Sequence, residues 1–315
     1  MRKLWIFALL VSLVAAFAGM AAAAEKTLVV GFSQIGAESG WRTAETDSVI
    51  SAAKELGIDL KFSDAQQKQE NQIKAIRSFI AQGVDGILLA PVVETGWEPV
   101  LTEAQNAKIP VILLDRGITV NDDSLYVCKI TSDFVFEGRE AAKWVAKELG
   151  GKGSVVQLQG TPGASAATER QKGFEEEIAK TPDIKILESQ TGDFTMELGK
   201  QVMEAFLKKY GKDINAVYAH NDDMGLGAIQ AIKEAGLKPG EDIKIITVDA
   251  TKAAFEAMVA GEMNAVVECN PLLGPLAYET LKKAIAGEKI DKWIVQKDEL
   301  FTKDQAASVI GSRKY

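Results

Sequence analysis

The chain has 315 residues, 47% hydrophobic and 25% charged, with a formal net charge of −8. That length suits two lobes of ordinary domain size, each with a sizeable core, and no low-complexity segment interrupts it. The acidity argues against a nucleic-acid partner and against anionic lipid surfaces, while two cysteines are too few for a disulfide scaffold and wrongly spaced for a structural zinc site.

The first element is a leader. Arg2 and Lys3 form a short basic start, Leu4 to Phe17 is a nearly continuous apolar run, and Ala21 to Ala24 supply small residues before Glu25. This pattern predicts a secretory signal peptide over residues 1–24, cleaved near Ala24. A retained anchor is the alternative, but the apolar run is short for a bilayer span, and no Cys stands at its exit to carry a lipid. Cleavage leaves 291 residues; because Arg2 and Lys3 depart, the formal charge goes from −8 to −10.

Apolar strands and amphipathic helices then alternate: strand 27–33, helix 41–56, strand 58–63, helix 69–82, strand 85–89, helix 97–107 and strand 110–114. Segment 125–130 is a further strand, and Thr131, Ser132 and Asp133 cap a helix over 134–149. The alternation restarts with strand 153–159, helix 165–180, strand 184–190, helix 196–210, strand 214–219, helix 222–235, strand 243–248 and helix 252–260. Such order predicts an α/β protein of two doubly wound parallel-sheet lobes. Strand 264–270 returns the chain to the first lobe, helix 272–286 packs there, and 293–300 crosses again. The first lobe is thus assigned 25–130 plus 269–297 and the second 131–268 plus 298–315, joined by a three-strand hinge. Gly57, Gly83, Gly150, Gly236 and Gly261 follow helical runs where a left-handed residue ends a helix.

Polar residues at the ends of apolar strands are where open α/β sheets hold small polar ligands. Asn221 follows the strand at 214–219, Asp115 and Arg116 follow L-L at 113–114, and Asp249 ends I-I-T-V-D. Arg offers five donors and Asp the complementary acceptors, so the pair can fork onto neighbouring hydroxyls; a structural salt bridge is the competing reading. Trp41, Arg42 and Glu45 open a helix together, an arrangement suited to stacking on a sugar ring and pairing its hydroxyls, or equally to a surface ion pair beside a half-buried indole. Arg170 opens the second lobe's first long helix after its first strand, and Glu268 follows a strand, although Asn and Asp at such ends also cap helices. The lone His220 cannot form a metal cluster, G-x-S-x-G is absent, and no enzyme chemistry is indicated. Cys128 and Cys269 fall beside the first and second crossings, either as two buried small residues or as a pair bonded across the hinge after export.

The segments G-F-S-Q-I-G-A-E-S-G-W-R-T-A-E-T (31–46), D-A-Q-Q-K-Q-E-N-Q-I-K-A-I-R-S-F-I-A-Q-G-V-D (64–85), L-Q-G-T-P-G-A-S-A-A-T-E-R (158–170) and Y-A-H-N-D-D-M (218–224) resemble periplasmic sugar-binding proteins of ABC importers, of the ribose-binding type and most closely the galactofuranose-binding branch. The resemblance spans residues 25–315 and implies the type I periplasmic binding fold. It further implies periplasmic localisation, a monomer, a monosaccharide ligand with galactofuranose first among candidates, and delivery to a membrane permease by hinge closure. It implies ligand contacts at Trp41, Arg42, Glu45, Asp115, Arg116, Arg170, Phe194, Asn221, Asp249 and Glu268. Asp249–Ala250 stands where ribose-type relatives have Asp-Gly, and E-C-N-P at 268–271 replaces their Gln-rich segment, which makes ribose itself a weaker candidate. The D-x-N-x-D calcium loop is missing, so neither structural metal nor cofactor is expected.

Two other classes fit less well. A nicotinamide enzyme would want G-x-G-x-x-G where residues 31–40 read G-F-S-Q-I-G-A-E-S-G, and a sugar-responsive transcription regulator would carry a DNA-binding headpiece where this chain has a leader. A chemoreceptor or signalling ligand-binder using the same closure remains the alternative to an importer component.

Overall fold

The computed structural model describes residues 27–315; the expected leader and its cleavage site lie outside the described residues. Among the described residues, ten α-helices and twelve strands follow one another, in the expected order except that the last helix, Lys303–Val309, was not expected. The first sheet draws on β1 (Val29–Gln34), β2 (Asp59–Asp64), β3 (Gly86–Leu89), β4 (Val111–Leu114) and β5 (Cys128–Thr131), alternating with α1 (Gly40–Glu55), α2 (Gln69–Gln82) and α3 (Glu98–Asn106). The second draws on β6 (Gly153–Gln159), β7 (Ile184–Thr191), β8 (Ala216–Ala219), β9 (Lys244–Asp249) and β10 (Ala265–Glu268), with α4 (Phe134–Glu148), α5 (Ser165–Ile178), α6 (Met196–Tyr210), α7 (Asp222–Glu234) and α8 (Lys252–Val259). The chain closes with α9 (Gly274–Ile285), β11 (Trp293–Val295), β12 (Leu300–Thr302) and α10 (Lys303–Val309).

Strand order is β11-β5-β4-β3-β1-β2 in one sheet and β12-β10-β9-β8-β6-β7 in the other. The central strands are buried on both faces, which is why Gly-Ile-Leu-Leu and Val-Ile-Leu-Leu carry no alternation. Leu88 and Ile112 pack with α1 and α9 on one face of the first sheet, while Ile87, Leu89, Val111 and Leu113 pack with α2 and α3 on the other. Ser39, Asp133, Thr195, Asn221 and Thr251 cap the N-termini of α1, α4, α6, α7 and α8, each side chain accepting from a backbone N–H three residues on. The five glycines expected at helix ends all adopt left-handed φ, between 63° and 81°.

The chain passes between the sheets after β5, after β10 and between β11 and β12. Three details depart from expectation. The single strand read over 293–300 is two strands, one in each sheet, and β12 runs antiparallel to β10 because the chain re-enters the second sheet at the end where β10 leaves it. Residues 125–127 precede β5 rather than belonging to it, since Asp122 caps a short 3-10 turn at Asp123–Leu125. Cys128 and Cys269 are free and buried. Cys128 opens β5, at the opposite end from the crossing, and packs in the first sheet's core, whereas Cys269 packs in the second sheet's core; they are not bonded.

Candidate functional site

The loops after β1, β4, β6, β7, β8, β9 and β10 converge between the two sheets on a narrow cavity with about 20 Å³ of free space. Its wall is Glu38, Ser39, Trp41, Arg42, Asp115 and Arg116 from the first sheet's side, and Ala166, Arg170, Phe194, Asn221, Asp249 and Cys269 from the second's and its crossing. A more open groove lies at the far end of the first sheet, by Ile80, Val84, Ile109 and Ile285, and holds none of the candidate residues.

Arg42 is the hub of the first wall. Its Nε donates to Glu38 at 3.0 Å, its Nη1 to Glu45, and its Nη2 to Asp115 at 2.6 Å, with the guanidinium over the Trp41 ring. Burial opposes this charge, but Asp115, Glu45 and Glu38 outweigh it and hold Arg42 well above its ordinary pKa. Arg116 is less encumbered: Nη1 donates to the Val92 carbonyl at 3.0 Å, the group lies over the Phe194 ring, and Nε is buried with no hydrogen-bond partner in the protein. Burial, with Arg42 beside it, brings Arg116 down to about 10, so it stays charged at neutral pH.

On the second wall, Arg170 Nε donates to Glu137 and Nη1 to the His220 carbonyl, both at 2.6 Å. Asn221 caps α7 with its oxygen and donates its amide to the Phe194 carbonyl. Glu38 Oε2 and Asp249 Oδ2 join Arg116 Nε as buried atoms without a protein partner. Two acceptors and one donor thus stand on residues that line one small space, a set that hydroxyl groups can satisfy. Three guanidiniums and three carboxyl groups stand on the wall, and burial, with Asp222 beside it, raises Asp249 well above its ordinary pKa.

The backbone is shaped for this. Asp115 (φ 60°), Phe194 (φ 61°) and Asp249 (φ 127°) all occupy conformations unusual for residues with a side chain, as functional sites commonly do. Ala250 takes φ 65°, a left-handed conformation that favours glycine. At Gly160 a Cβ would come within 1.9 Å of Phe194 Cζ, so the ring has its seat only because that position is glycine.

Eight of the ten residues expected to bind ligand meet on this wall. Glu45 stands behind Arg42, taking hydrogen bonds from it and from Gln34. Glu268 does not reach the cavity: it accepts from Arg313 at 2.7 Å and from Tyr315, and its neighbour Cys269 faces the cavity instead, since successive residues of an extended segment point opposite ways. Glu38, Ser39, Ala166 and Cys269 line the wall without having been singled out; for Glu38 the available signal was an acid four residues before Arg42, at helical pairing distance.

Direct contacts between the lobes ring the cavity. Glu94 N donates to the Gly163 carbonyl at 2.8 Å, Thr168 Oγ1 to Glu94 at 2.7 Å, Gly117 N to Ser165 Oγ at 2.9 Å, and Gly40 N to Asp223 at 3.2 Å. The Trp41 indole donates to the Cys269 carbonyl at 2.6 Å. Among the described residues no cluster of His, Cys, Asp or Glu could hold a metal ion, and no helix is long and apolar enough to cross a membrane.

Burial raises Glu45, Glu137 and Asp222 to about 7 and Asp298 to about 8. The folded state therefore keeps protons that these groups release near pH 4 when unfolded, so their contribution to stability is greatest at low pH and is lost as pH rises toward 8. His220, held neutral by burial, opposes this only below about pH 6.5. Thermal denaturation at pH 6 and pH 8 is expected to give the lower Tm at pH 8; the reverse order would show that these carboxylates ionise in the folded protein without penalty.

The sequence profile of the periplasmic binding protein domain matches residues 30–289. The galactofuranose-binding protein of Escherichia coli is 53% identical over 316 aligned residues, covering 99% of each chain. Among solved structures, the periplasmic component of the arabinose ABC transporter from Shewanella sp. ANA-3, bound to α- and β-L-arabinofuranose, superposes with a TM-score of 0.89 at 53% identity over 91% of this chain and 95% of that one. A protein from Mycobacterium smegmatis in complex with β-D-fucofuranose also has a TM-score of 0.89, at 53% identity over 92% and 96%. With two α/β lobes closing on a polar cavity, the chain belongs to the periplasmic binding protein family.

Proposed function

We propose that this protein is the solute-binding component of an ABC sugar importer, that it takes a monosaccharide in its furanose form, galactofuranose first among candidates, and that it delivers the sugar to a membrane permease. The observation that carries the reading is the wall itself: Arg116 Nε, Glu38 Oε2 and Asp249 Oδ2 are buried without a hydrogen-bond partner in the protein, on residues that line one small space. Support for a furanose comes from the three relatives named above, whose descriptions give galactofuranose, arabinofuranose and fucofuranose.

Residues 27–130 with 269–297 form one lobe in this reading and 131–268 with 298–315 the other, and the three crossings serve as the hinge. Sugar entering between open lobes gains contacts on both walls only on closure, and that difference shifts the population to the closed state. Hydrogen bonds to charged groups contribute about 1.5–3 kcal/mol each, so a few suffice for a micromolar ligand near about −8 kcal/mol after ordering costs. No bond is made or broken. The protein acts as an exported, periplasmic monomer.

Galactose labelled at C1 interconverts between ring forms in solution, so NMR of the bound sugar reports which ring the site selects. The furanose signal is expected to dominate the bound population, and competition calorimetry is expected to rank galactose and L-arabinose above ribose. A pyranose form preferred tenfold or more would sink the furanose assignment. The acid oxygens of the wall also predict that galacturonic acid and galactose phosphate compete at least about tenfold less well, since an anion would meet acceptors without a hydrogen-bond partner on Glu38 and Asp249.

A further inference from the structure

Glu137 lies in the first turn of α4, shortly after the chain has crossed from β5. Its side chain is wholly buried and does not line the cavity. A buried carboxylate needs strong pairing, and this one finds it in Arg170, whose Nε donates to Oε2 at 2.6 Å. With Nη1 held by the His220 carbonyl, two nitrogens of the fork are fixed from behind. That leaves Nη2 turned to the cavity, 3.9 Å from Asp249 Oδ1. The other Glu137 oxygen has no hydrogen-bond partner in the protein. The Cys269 thiol faces the same carboxylate, and the Cys269 carbonyl receives the Trp41 indole. Glu137 therefore holds a wall guanidinium and lies beside the Cys269 thiol at the β10 crossing.

We propose that Glu137 is a positioning residue of the binding site, fixing the direction in which Arg170 presents its free nitrogen and tying that direction to the crossing at Cys269. The inference rests on reading the cavity as a sugar site. Its rival is that Glu137 merely neutralises a buried Arg.

Two conservative variants separate the accounts. Glu137→Gln keeps an acceptor oxygen at the same reach and loses the charge, whereas Glu137→Asp keeps the charge and withdraws it by one methylene. Positioning predicts, by calorimetry with galactose and L-arabinose, that E137Q binds within about fivefold of the unaltered protein while E137D binds at least about thirtyfold more weakly. The opposite order would overturn the proposal in favour of charge neutralisation. A second measurement needs no ligand: the Arg170 Nε–H resonance is expected to exchange slowly in the unaltered protein and in E137Q, and to lose that protection in E137D. If the unaltered protein binds neither sugar, the sugar reading falls by itself, and an Arg170 resonance equally protected in E137D overturns the positioning role.

Discussion

Arg116→Ala is expected to remove most sugar affinity, about 2–4 kcal/mol or roughly thirty- to a thousandfold, while leaving the fold intact. The guanidinium is buried, spends one nitrogen on the Val92 carbonyl and offers Nε to the cavity. Its removal does not orphan the neighbouring acids, because Arg42 already donates to both Glu38 and Asp115. It also frees one face of Phe194, the ring that Arg116 covers. Calorimetry against galactose and L-arabinose, with thermal denaturation as the fold control, checks both halves of the expectation. Affinity within about twofold of the unaltered protein would place Arg116 outside the site, as an exposed-type ion pair contributes little.

Gly138→Ala carries the other large effect, on stability. A Cβ there would lie 2.2 Å from the Arg170 carbonyl oxygen and 2.8 Å from the Phe174 nitrogen, both backbone atoms of α5 that cannot rotate aside. The relation is reciprocal, since a Cβ at Gly173 would lie 2.1 Å from the Val135 carbonyl oxygen of α4. In an isolated helix the exchange would gain about 1 kcal/mol of propensity. Here the two helices meet backbone to backbone, and overpacking that contact costs about 1–3 kcal/mol, with more where nothing yields. A net loss of stability is expected, together with weaker sugar binding, because the displaced helix carries Arg170 away from the cavity. Urea denaturation should show a lower midpoint at unchanged slope; a higher midpoint would mean that α4 and α5 part without cost.

The close approach of α4 and α5 also shows where local pattern stops informing. Gly138 and Gly173 read in sequence as two weak positions within helices, and nothing in F-V-F-E-G-R-E marks Glu137 as buried. Both facts follow from a helix partner more than thirty residues away. Glu38 was passed over for a related reason: it belongs to a loop, where there is no periodicity, and its role appears only once Arg42 folds back to meet it at 3.0 Å. Glu268 shows the opposite error. Its place at a strand end was legible, but the direction of its side chain was not, and Arg313 claims it from the C-terminal segment.

What the sequence determined by itself was the order and kind of the elements, the two parallel sheets, and which strand ends carry polar residues, because each is written in short-range periodicity of apolar positions and in capping residues next to them. Seven wall residues were found that way, from Trp41 to Asp249, with resemblance adding Phe194 as the eighth. What only the tertiary structure decided was direction and partnership: the antiparallel return of β12, the two cysteines packed in separate cores, Arg42 saturated by three acids while Arg116 keeps a free donor, and the glycine seat under Phe194. These depend on backbone turns at positive φ and on contacts between residues remote in the chain, where the balance between desolvation and pairing is set by whichever groups the fold brings within hydrogen-bond reach.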